Sequence, residues 1–357
     1  MRVAIAFGTR PEVIKIALVY FELKRRGIDV LLIATAQHRE MMDMMLEVFK
    51  IKPDVDMNIM VHNQTLNYVA SEVFKKMEEV FKEKKVDILL VQGDTTTAMA
   101  SAMAAFHMGI KVGHIEAGLR SGRIRDPFPE EMNRRVIDTF ADYAFAPTKR
   151  AKENLEREGV ERERIFVTGN TVVDALNMIS KNIPKVKEND YILVTMHRRE
   201  NIGKNMEDVL KALKDFSKEV GIKIVFPVHK NPKVREIVFK ILGDCKNAEL
   251  MEPVNYLEFL KLLKFCRFVV TDSGGVQEEA PSFGKFVVVV RNTTERPELI
   301  ESGWGTLAGT SVEEVKEALK MALNFSKSGR KNPFGDGRAS ERIVDILTKG
   351  KTEEFEG

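Results

Sequence analysis

The feature that most constrains the fold is an alternation of short, β-branched apolar segments with longer amphipathic segments along nearly the whole chain. Such alternation is typical of a parallel sheet with helices on both faces. With 357 residues, the chain exceeds what one hydrophobic core usually holds. The polar segment KNIPKVKEND, residues 181–190, interrupts the pattern and predicts a linker. We therefore predict an α/β protein with two doubly wound, Rossmann-like domains at 1–180 and 191–340. A C-terminal helix and tail at 341–357 is expected to pack back on the N-terminal domain.

Composition excludes several classes of function. The 56 Lys and Arg residues nearly balance the 53 Asp and Glu residues, which does not fit a nucleic-acid partner. Cys245 and Cys266 have neither metal-ligand spacing nor a disulfide framework, so we expect reduced thiols, no metal and no cofactor. The longest uncharged run, Thr95–Ile110, is rich in small residues and predicts a buried helix rather than a membrane span. A cytoplasmic protein without a membrane partner is expected.

The segment TDSGGVQEEAP, residues 271–281, predicts a site for a nucleotide diphosphate. It joins an apolar strand to a helix predicted at Val276–Phe283, so Ser273, Gly274 and Gly275 fall at the helix start. Backbone N–H groups there favour an anion, and glycine lets a diphosphate approach closely. Glu279 follows about one turn later, where a carboxylate can accept both hydroxyls of a ribose. A Gly pair alone fits a plain turn with a solvated helix start equally well.

Three loops at strand ends in the first half carry a carboxylate beside a basic residue. Acid–base chemistry needs such convergent groups in unlike environments, although Asp94 alone fits a plain helix N-cap better. The first-domain loop GTRPEVIK adds a cation that can meet a phosphate and a lysine one helical turn further on. The candidates are Arg10, Lys15, Asp94, Glu116, and either Glu130 or Glu131.

Two histidines directly follow predicted strands of the second half. A histidine in that place is often only a helix cap or turn residue, which is our interpretation of His229 taken alone. His197 is followed by Arg198 and Arg199 and is predicted to lie in a cationic loop facing the same crevice as the Gly pair. His38 likewise ends a strand.

Ten separated motifs together carry a family resemblance. In order they are FGTRPE, TAQHRE, GDTTT, HIEAGLRSG, PFPEEMNR, VTGNTVVDAL, HRREN, TDSGGVQEEAPS, TTERPE and NPFGDG. The chain resembles the non-hydrolysing UDP-N-acetylglucosamine 2-epimerases. The resemblance implies a glycosyltransferase-B-like fold with the active site in the cleft between two domains, and a homodimer. It also implies interconversion of UDP-N-acetylglucosamine (UDP-GlcNAc) and UDP-N-acetylmannosamine (UDP-ManNAc) by anti elimination of UDP to 2-acetamidoglucal and re-addition.

The resemblance also implies roles for individual residues. Proton transfer at the sugar falls to Asp94, Glu116 and Glu130, with Lys15 nearby, and His197 is counted among the catalytic residues. By the same resemblance, Glu279 binds the ribose and Arg296 supports the nucleotide site. Val254 and Phe259 border the uracil. The residues that bind the diphosphate are Arg10, His197, Ser273, Gly274 and Gly275. A second UDP-GlcNAc can bind as an activator at Gln37, His38, Arg198 and His229.

Other functions stay open at this stage. A glycosyltransferase with the same fold would share the Gly pair and Glu279 but would need an acceptor site. An epimerase of a related UDP-diacetamido-uronic acid would share almost every motif. A non-catalytic nucleotide-sugar sensor fits least, because the carboxylates and His197 are all present.

Overall fold

The computed structural model describes residues 1–184 and 190–357. The predicted linker therefore falls partly outside the described residues, at 185–189, while Lys181 is the last residue of a helix. The chain forms two compact units. Unit 1 comprises Met1–Ala175 and Phe334–Gly357, and unit 2 comprises Leu176–Pro333.

Unit 1 is built around a parallel sheet. The elements of this part of the chain are β1 Arg2–Phe7, α1 Arg10–Arg25, β2 Asp29–Ala34, α2 Arg39–Phe49, β3 Val55–Asp56, α3 Leu66–Glu83, β4 Ile88–Gln92, α4 Thr96–His107, β5 Lys111–Ile115, α5 Glu130–Phe140, β6 Tyr143–Ala146, α6 Lys149–Arg157, β7 Ile165–Val167 and α7 Thr171–Lys181. The strand order is β3-β2-β1-β4-β5-β6-β7, with every pair parallel.

The central strands of unit 1 are apolar because both faces of the sheet are covered. All five residues of β4 are buried, and the small side chains of α4 allow that helix to pack closely against the sheet. The last helix of the chain, Ala339–Lys349, also belongs to unit 1 and packs against α1, where Arg26 pairs with Asp345. Asp174 accepts hydrogen bonds from N of Ala339 at 3.2 Å and N of Ser340 at 2.7 Å, which caps this helix.

Unit 2 repeats the architecture. Its elements are β8 Tyr191–Thr195, α8 Lys204–Val220, β9 Lys223–Pro227, α9 Pro232–Leu242, β10 Ala248–Met251, α10 Tyr256–Phe265, β11 Phe268–Thr271, α11 Gly274–Glu279, β12 Val287–Val289, α12 Pro297–Glu301, β13 Gly305–Leu307 and α13 Val312–Leu323, and the C-terminal helix of unit 1 is α14. The parallel strand order is β10-β9-β8-β11-β12-β13. The predicted fold class of two doubly wound α/β domains is confirmed.

The helix predicted at Val276–Phe283 differs from the observed one. Helix α11 already begins at Gly274, and it continues from Ala280 to Phe283 as a 3-10 turn. Pro281 explains the change of geometry, because proline has no N–H with which to continue the α-helical hydrogen bonds.

Each sheet reverses its strand order once, and ligands of such folds bind beyond the carboxyl ends of the strands at that point. In unit 1 the reversal lies between β1 and β4, and in unit 2 between β8 and β11. The loops after these strands contain Asp94, His197, Arg198 and Ser273, and the helices that follow β1 and β11 contain Arg10, Lys15, Gly274, Gly275 and Glu279. Within the described ranges, no helix combines the length and hydropathy needed to span a bilayer.

Candidate active site

A buried carboxylate joins the two switch-point loops of unit 1. Oε2 of Glu12 accepts hydrogen bonds from N of Gly8 at 2.9 Å and Oγ1 of Thr9 at 2.8 Å, and Oε1 accepts from Oγ1 of Thr95 at 2.7 Å. Burial raises the pKa of Glu12 to about 6, and these hydrogen bonds oppose the rise only in part. Glu12 therefore fixes the loop after β1 against the loop after β4.

Lys15 and Glu116 form an ion pair in which both side chains are almost buried, at 12% and 8% exposed. Nδ2 of Asn170 donates to the same carboxylate at 3.3 Å. Glu116 has a φ of 71°, a left-handed conformation that is uncommon for residues other than glycine. N of Glu116 donates to the carbonyl of Phe145, so the strained turn is held by the neighbouring strand.

Asp94 pairs with the buried guanidinium of Arg134, and its carbonyl accepts from Nδ2 of Asn133 at 2.9 Å. Both partners lie on α5, one turn after its first residue, Glu130. The side chain of Asp94 is 25% exposed, so solvent still reaches the carboxylate although Arg134 binds it. The N-cap of α4 is Thr95 and not Asp94, so the plain helix-cap interpretation of Asp94 is wrong.

Glu130 and Glu131 differ in burial and in their contacts. Glu131 is fully buried, and its oxygens accept from N of Ser121 at 3.0 Å and from Nε of Arg135 at 3.1 Å. Glu131 thus holds the loop between β5 and α5. Glu130 is partly exposed at the first position of α5.

The remaining unit 1 candidates lie around Gly8. Arg10 is the partly exposed first residue of α1, and exposed His38 precedes α2 with its N–H bound to the carbonyl of Gly8 at 2.9 Å. Oε1 of Gln37 accepts hydrogen bonds from N and Oγ1 of Thr97 at 3.2 and 2.8 Å, so the side-chain carbonyl of Gln37 is bonded to the first turn of α4. A Cβ at position 8 would collide with the hydroxyls of Thr35 and Thr97, which explains the glycine.

In unit 2, fully buried Asp272 holds the histidine loop. Its carboxylate accepts from N of His197 at 3.1 Å, N of Arg198 at 3.0 Å and Nδ2 of Asn201 at 3.0 Å. Asn201 also donates to the carbonyl of Val290 at 3.1 Å. Asp272 lies between the end of β11 and Ser273, so the predicted cationic loop and the predicted anion loop are joined by hydrogen bonds.

His197 and His229 are stacked, with ring centroids 5.5 Å apart and an interplanar angle of 20°. Burial lowers the pKa of His197 against the opposing pull of Asp272, and the nearby His229 and Arg198 lower it further. The ring is therefore readily neutral when no anion is present. An anion placed next to it would favour the protonated form.

The turn at the start of α11 is built for close approach. The guanidinium of Arg296 lies over Gly274, where a Cβ would meet its Cζ at 3.4 Å, while a Cβ built at Gly275 would come no closer than 4.0 Å to Oγ of Ser273. Arg296 is held by Glu278, to which its Nε donates at 2.8 Å. Glu278 is 2% exposed, so the alternative of a solvated helix start is wrong.

A chain of paired charges supports Arg296. Arg291 binds Glu295 through two hydrogen bonds of 2.7 and 3.0 Å, and Arg296 lies 3.7 Å from the same carboxylate. Burial of Glu295 opposes its ionisation, but the hydrogen bonds of Arg291 and the charges of Arg296, Arg291 and Arg198 lower its pKa to about 2. The loop carrying Arg296 is thus fixed by charge-assisted bonds.

Glu279 is buried next to Tyr256, whose hydroxyl donates to its Oε1 at 2.7 Å. Tyr256 opens α10, so this bond ties α10 to α11. Val254 and Phe259 lie on either side of Tyr256 in sequence and are each half-buried. The structure therefore places the predicted ribose residue close to the segment predicted to border the uracil.

Several residues that complete the two sites are not predicted from the sequence. The pattern Thr9-x-x-Glu12 is a capping-box signature and is the signal that points to Glu12. His114 and Asp272 lie within the motifs HIEAGLRSG and TDSGGVQEEAPS, but these motifs do not predict their contacts, and Asp138 and Tyr256 lie outside the motifs. Within the described residues, no cluster of three or more His, Cys, Asp or Glu side chains could hold a metal.

Comparison with known proteins extends over nearly the whole chain. The family model described as UDP-N-acetylglucosamine 2-epimerase matches residues 22–348. The UDP-N-acetylglucosamine 2-epimerase of Bacillus subtilis (strain 168) is 47% identical over 360 residues, covering 97% of this chain and 95% of that protein.

Two solved structures are similar to both units. The UDP-GlcNAc 2-epimerase from Neisseria meningitidis, bound to UDP-GlcNAc, is 39% identical with a TM-score of 0.86, covering 98% of this chain and 100% of that chain. The S. aureus protein MnaA, solved with UDP, is 43% identical with a TM-score of 0.87, covering 99% of each chain.

Proposed function

This chain belongs to the UDP-N-acetylglucosamine 2-epimerase family, and we propose that it reversibly epimerises UDP-GlcNAc at C2 of the sugar to give UDP-ManNAc. The observation that carries the proposal is a pair of carboxylates at the carboxyl ends of β4 and β5 in unit 1, each bound by a cation: Asp94 by Arg134 and Glu116 by Lys15. Loss and return of a proton on two faces of one carbon needs separate acid–base groups, and these carboxylates are fixed by different partners.

The C2 hydrogen is not acidic by itself, so its removal must be coupled to departure of UDP from C1. In the proposed reaction a base takes the C2 proton as the C1–O bond breaks, anti to it, giving 2-acetamidoglucal and UDP. A proton then returns to the other face of C2, and UDP adds again to C1. Asp94, Glu116 and Glu130 are the proposed proton-transfer residues, with Lys15 beside them.

The leaving diphosphate must be stabilised, and unit 2 supplies suitable groups. We assign the diphosphate to the backbone of Ser273, Gly274 and Gly275, and to His197, whose ring gains a proton more easily beside an anion. We also assign Arg10, the first residue of α1, to the diphosphate, because its guanidinium carries a positive charge. The buried carboxylate of Glu279 is assigned to the ribose hydroxyls and Arg296 to the nucleotide site.

Two finer assignments belong to the same proposal. The chain acts as a homodimer, and a second UDP-GlcNAc binds as an activator through Gln37, His38, Arg198 and His229. The stacking of His229 on His197 supports the activator assignment, because it couples a proposed activator residue directly to a proposed diphosphate residue.

The deciding experiment is incubation of the purified protein with UDP-GlcNAc alone in D2O. Deuterium at C2 together with the manno product supports the epimerase. Products that appear only when a sugar acceptor is added indicate a glycosyltransferase. Exchange seen only with a UDP-diacetamido-uronic acid identifies the related epimerase.

A further inference from the structure

His114 is a fully buried residue of β5 that has no role in the reaction described above. Its Nδ1 lies 2.6 Å from Oδ1 of Asp138, and its Nε2 lies 2.7 Å from the carbonyl oxygen of Gly93. A carbonyl oxygen can only accept, so Nε2 donates to Gly93. Burial favours the neutral acid of Asp138, but the charges and hydrogen bonds of His114 and Arg120 hold its pKa below the ordinary value. Asp138 is therefore favoured as a carboxylate, and the two ring nitrogens of His114 bond two different parts of unit 1.

The two acceptors lie on different elements, and each element carries a proposed proton-transfer residue. Gly93 immediately precedes Asp94 in the turn after β4. Asp138 lies on α5, the helix that begins with Glu130. The histidine itself stands two residues before Glu116 at the end of β5. One imidazole ring thus connects the three elements that hold the three carboxylates.

The second oxygen of Asp138 extends this connection to the loop after β5. It accepts from N of Gly118 at 3.1 Å and pairs with Nη2 of Arg120 at 2.8 Å. Gly118 follows Glu116 by two residues, so the strained turn of Glu116 is fixed on its C-terminal side by the same carboxylate that binds the histidine.

We propose that His114 is a positioning residue for the epimerisation: by bonding Gly93 and Asp138 it sets the separation of Asp94, Glu116 and Glu130. This inference rests on the proposed function. A misplacement of about 1 Å in a catalytic group costs about 100-fold in rate, and proton transfer by a positioned group contributes about 10²–10⁴-fold. Breaking one of the two bonds is therefore expected to lower kcat by about 10–100-fold.

The two bonds can be broken one at a time. His114→Asn keeps an N–H near the Nδ1 position for Asp138 and loses the bond to Gly93. His114→Gln keeps an N–H near the Nε2 position for Gly93 and loses the bond to Asp138. Each variant is assayed for kcat and KM with UDP-GlcNAc, for deuterium incorporation at C2 in D2O, for UDP affinity by calorimetry and for its thermal midpoint. The matched control is His107→Asn, at the exposed end of α4 in the same unit.

Both variants are expected to lose about 10–100-fold in kcat and in C2 exchange, while UDP affinity and KM change by less than about threefold because unit 2 is untouched. The control should keep the kcat of the unmutated protein. Asp138→Asn should lower kcat in the unmutated background and much less in His114→Gln, where that bond is already broken.

Unchanged kcat in both folded variants overturns the inference. A loss of kcat that is explained by a lower folded fraction, or that is matched by an equal loss of UDP binding, also overturns it. Failure of both histidine variants to fold overturns it as well, because His114 is then a scaffold residue. The unmutated protein run beside them separates the two proposals. No turnover in that protein refutes the proposed function and this inference with it, whereas normal turnover in all proteins refutes the inference alone.

Discussion

Replacement of Glu12 by glutamine tests whether burial or hydrogen bonding dominates at the junction of the β1 and β4 loops. Three hydrogen bonds from Gly8, Thr9 and Thr95 favour the carboxylate, whereas complete burial favours the neutral acid. Burial prevails and raises the pKa of Glu12 from 4.5 to about 6. The difference between these pKa values, about 1.5, corresponds to about 2 kcal/mol.

The sign of the pH dependence follows from proton binding. Between pH 4.5 and about 6, the folded protein keeps a proton on Glu12 that the unfolded chain has released. The stability contributed by this group is therefore fully present below pH 4.5 and is lost as the pH rises through about 6. Glutamine is neutral throughout this range. Relative to Glu12→Gln, the unmutated protein should lose about 2 kcal/mol of unfolding free energy, most of it between about pH 4.5 and 7.

The assay is urea denaturation followed by circular dichroism at a series of pH values, for the unmutated protein, Glu12→Gln and Glu79→Gln. Glu79 is exposed on α3, so Glu79→Gln makes the same chemical change at a site without burial. Its unfolding free energy relative to the unmutated protein should therefore not change with pH in this way. A difference between Glu12→Gln and the unmutated protein that stays constant with pH would refute the reasoning. If the unfolding free energy of the unmutated protein instead increases with pH relative to that of Glu12→Gln, the hydrogen bonds outweigh burial.

Three further outcomes are expected. Glu279→Gln should weaken UDP binding by roughly one to two orders of magnitude, since charge-assisted hydrogen bonds contribute about 1.5–3 kcal/mol; calorimetry beside Glu258→Gln, at a solvent-exposed position of α10, checks this, and unchanged affinity removes Glu279 from the ribose site. Asp94→Asn, Glu116→Gln and Glu130→Gln should each lower kcat by about 10²–10⁴-fold with a smaller change in UDP affinity, and equal losses in both would make them binding residues. His229→Ala should reduce a sigmoidal dependence of rate on UDP-GlcNAc, because it removes the ring stacked on His197; strictly hyperbolic kinetics in the unmutated protein would exclude the activator site.

Much of the local structure could be predicted from the sequence. Strands such as β4 are continuous apolar runs and helices such as α13 repeat apolar residues at helical spacing, so period and length identify them without tertiary information. The loops that bear Asp94, Glu116 and His197 could be located for the same reason, because each begins where an apolar strand ends.

Side-chain partners across the sheet could not be predicted in this way. Glu12 and Thr95 are 83 residues apart and meet only because β1 and β4 are neighbours at the reversal of strand order. The sequence of Glu278 and Glu279 looks like a solvated helix start, yet Arg296 and Tyr256 bury both. The burial of a side chain depends on which distant elements pack against it, and a local sequence pattern does not determine those elements.

The amino-acid sequence by itself determined the alternation of strands and helices, the places where polar loops interrupt them, and the ordered motifs of the family. Only the tertiary structure decided that Asp272 fixes the His197 loop and that His114 joins Gly93 to Asp138. The physical reason is range: backbone periodicity and turn chemistry act over a few residues, whereas these contacts depend on the order in which parallel strands lie side by side.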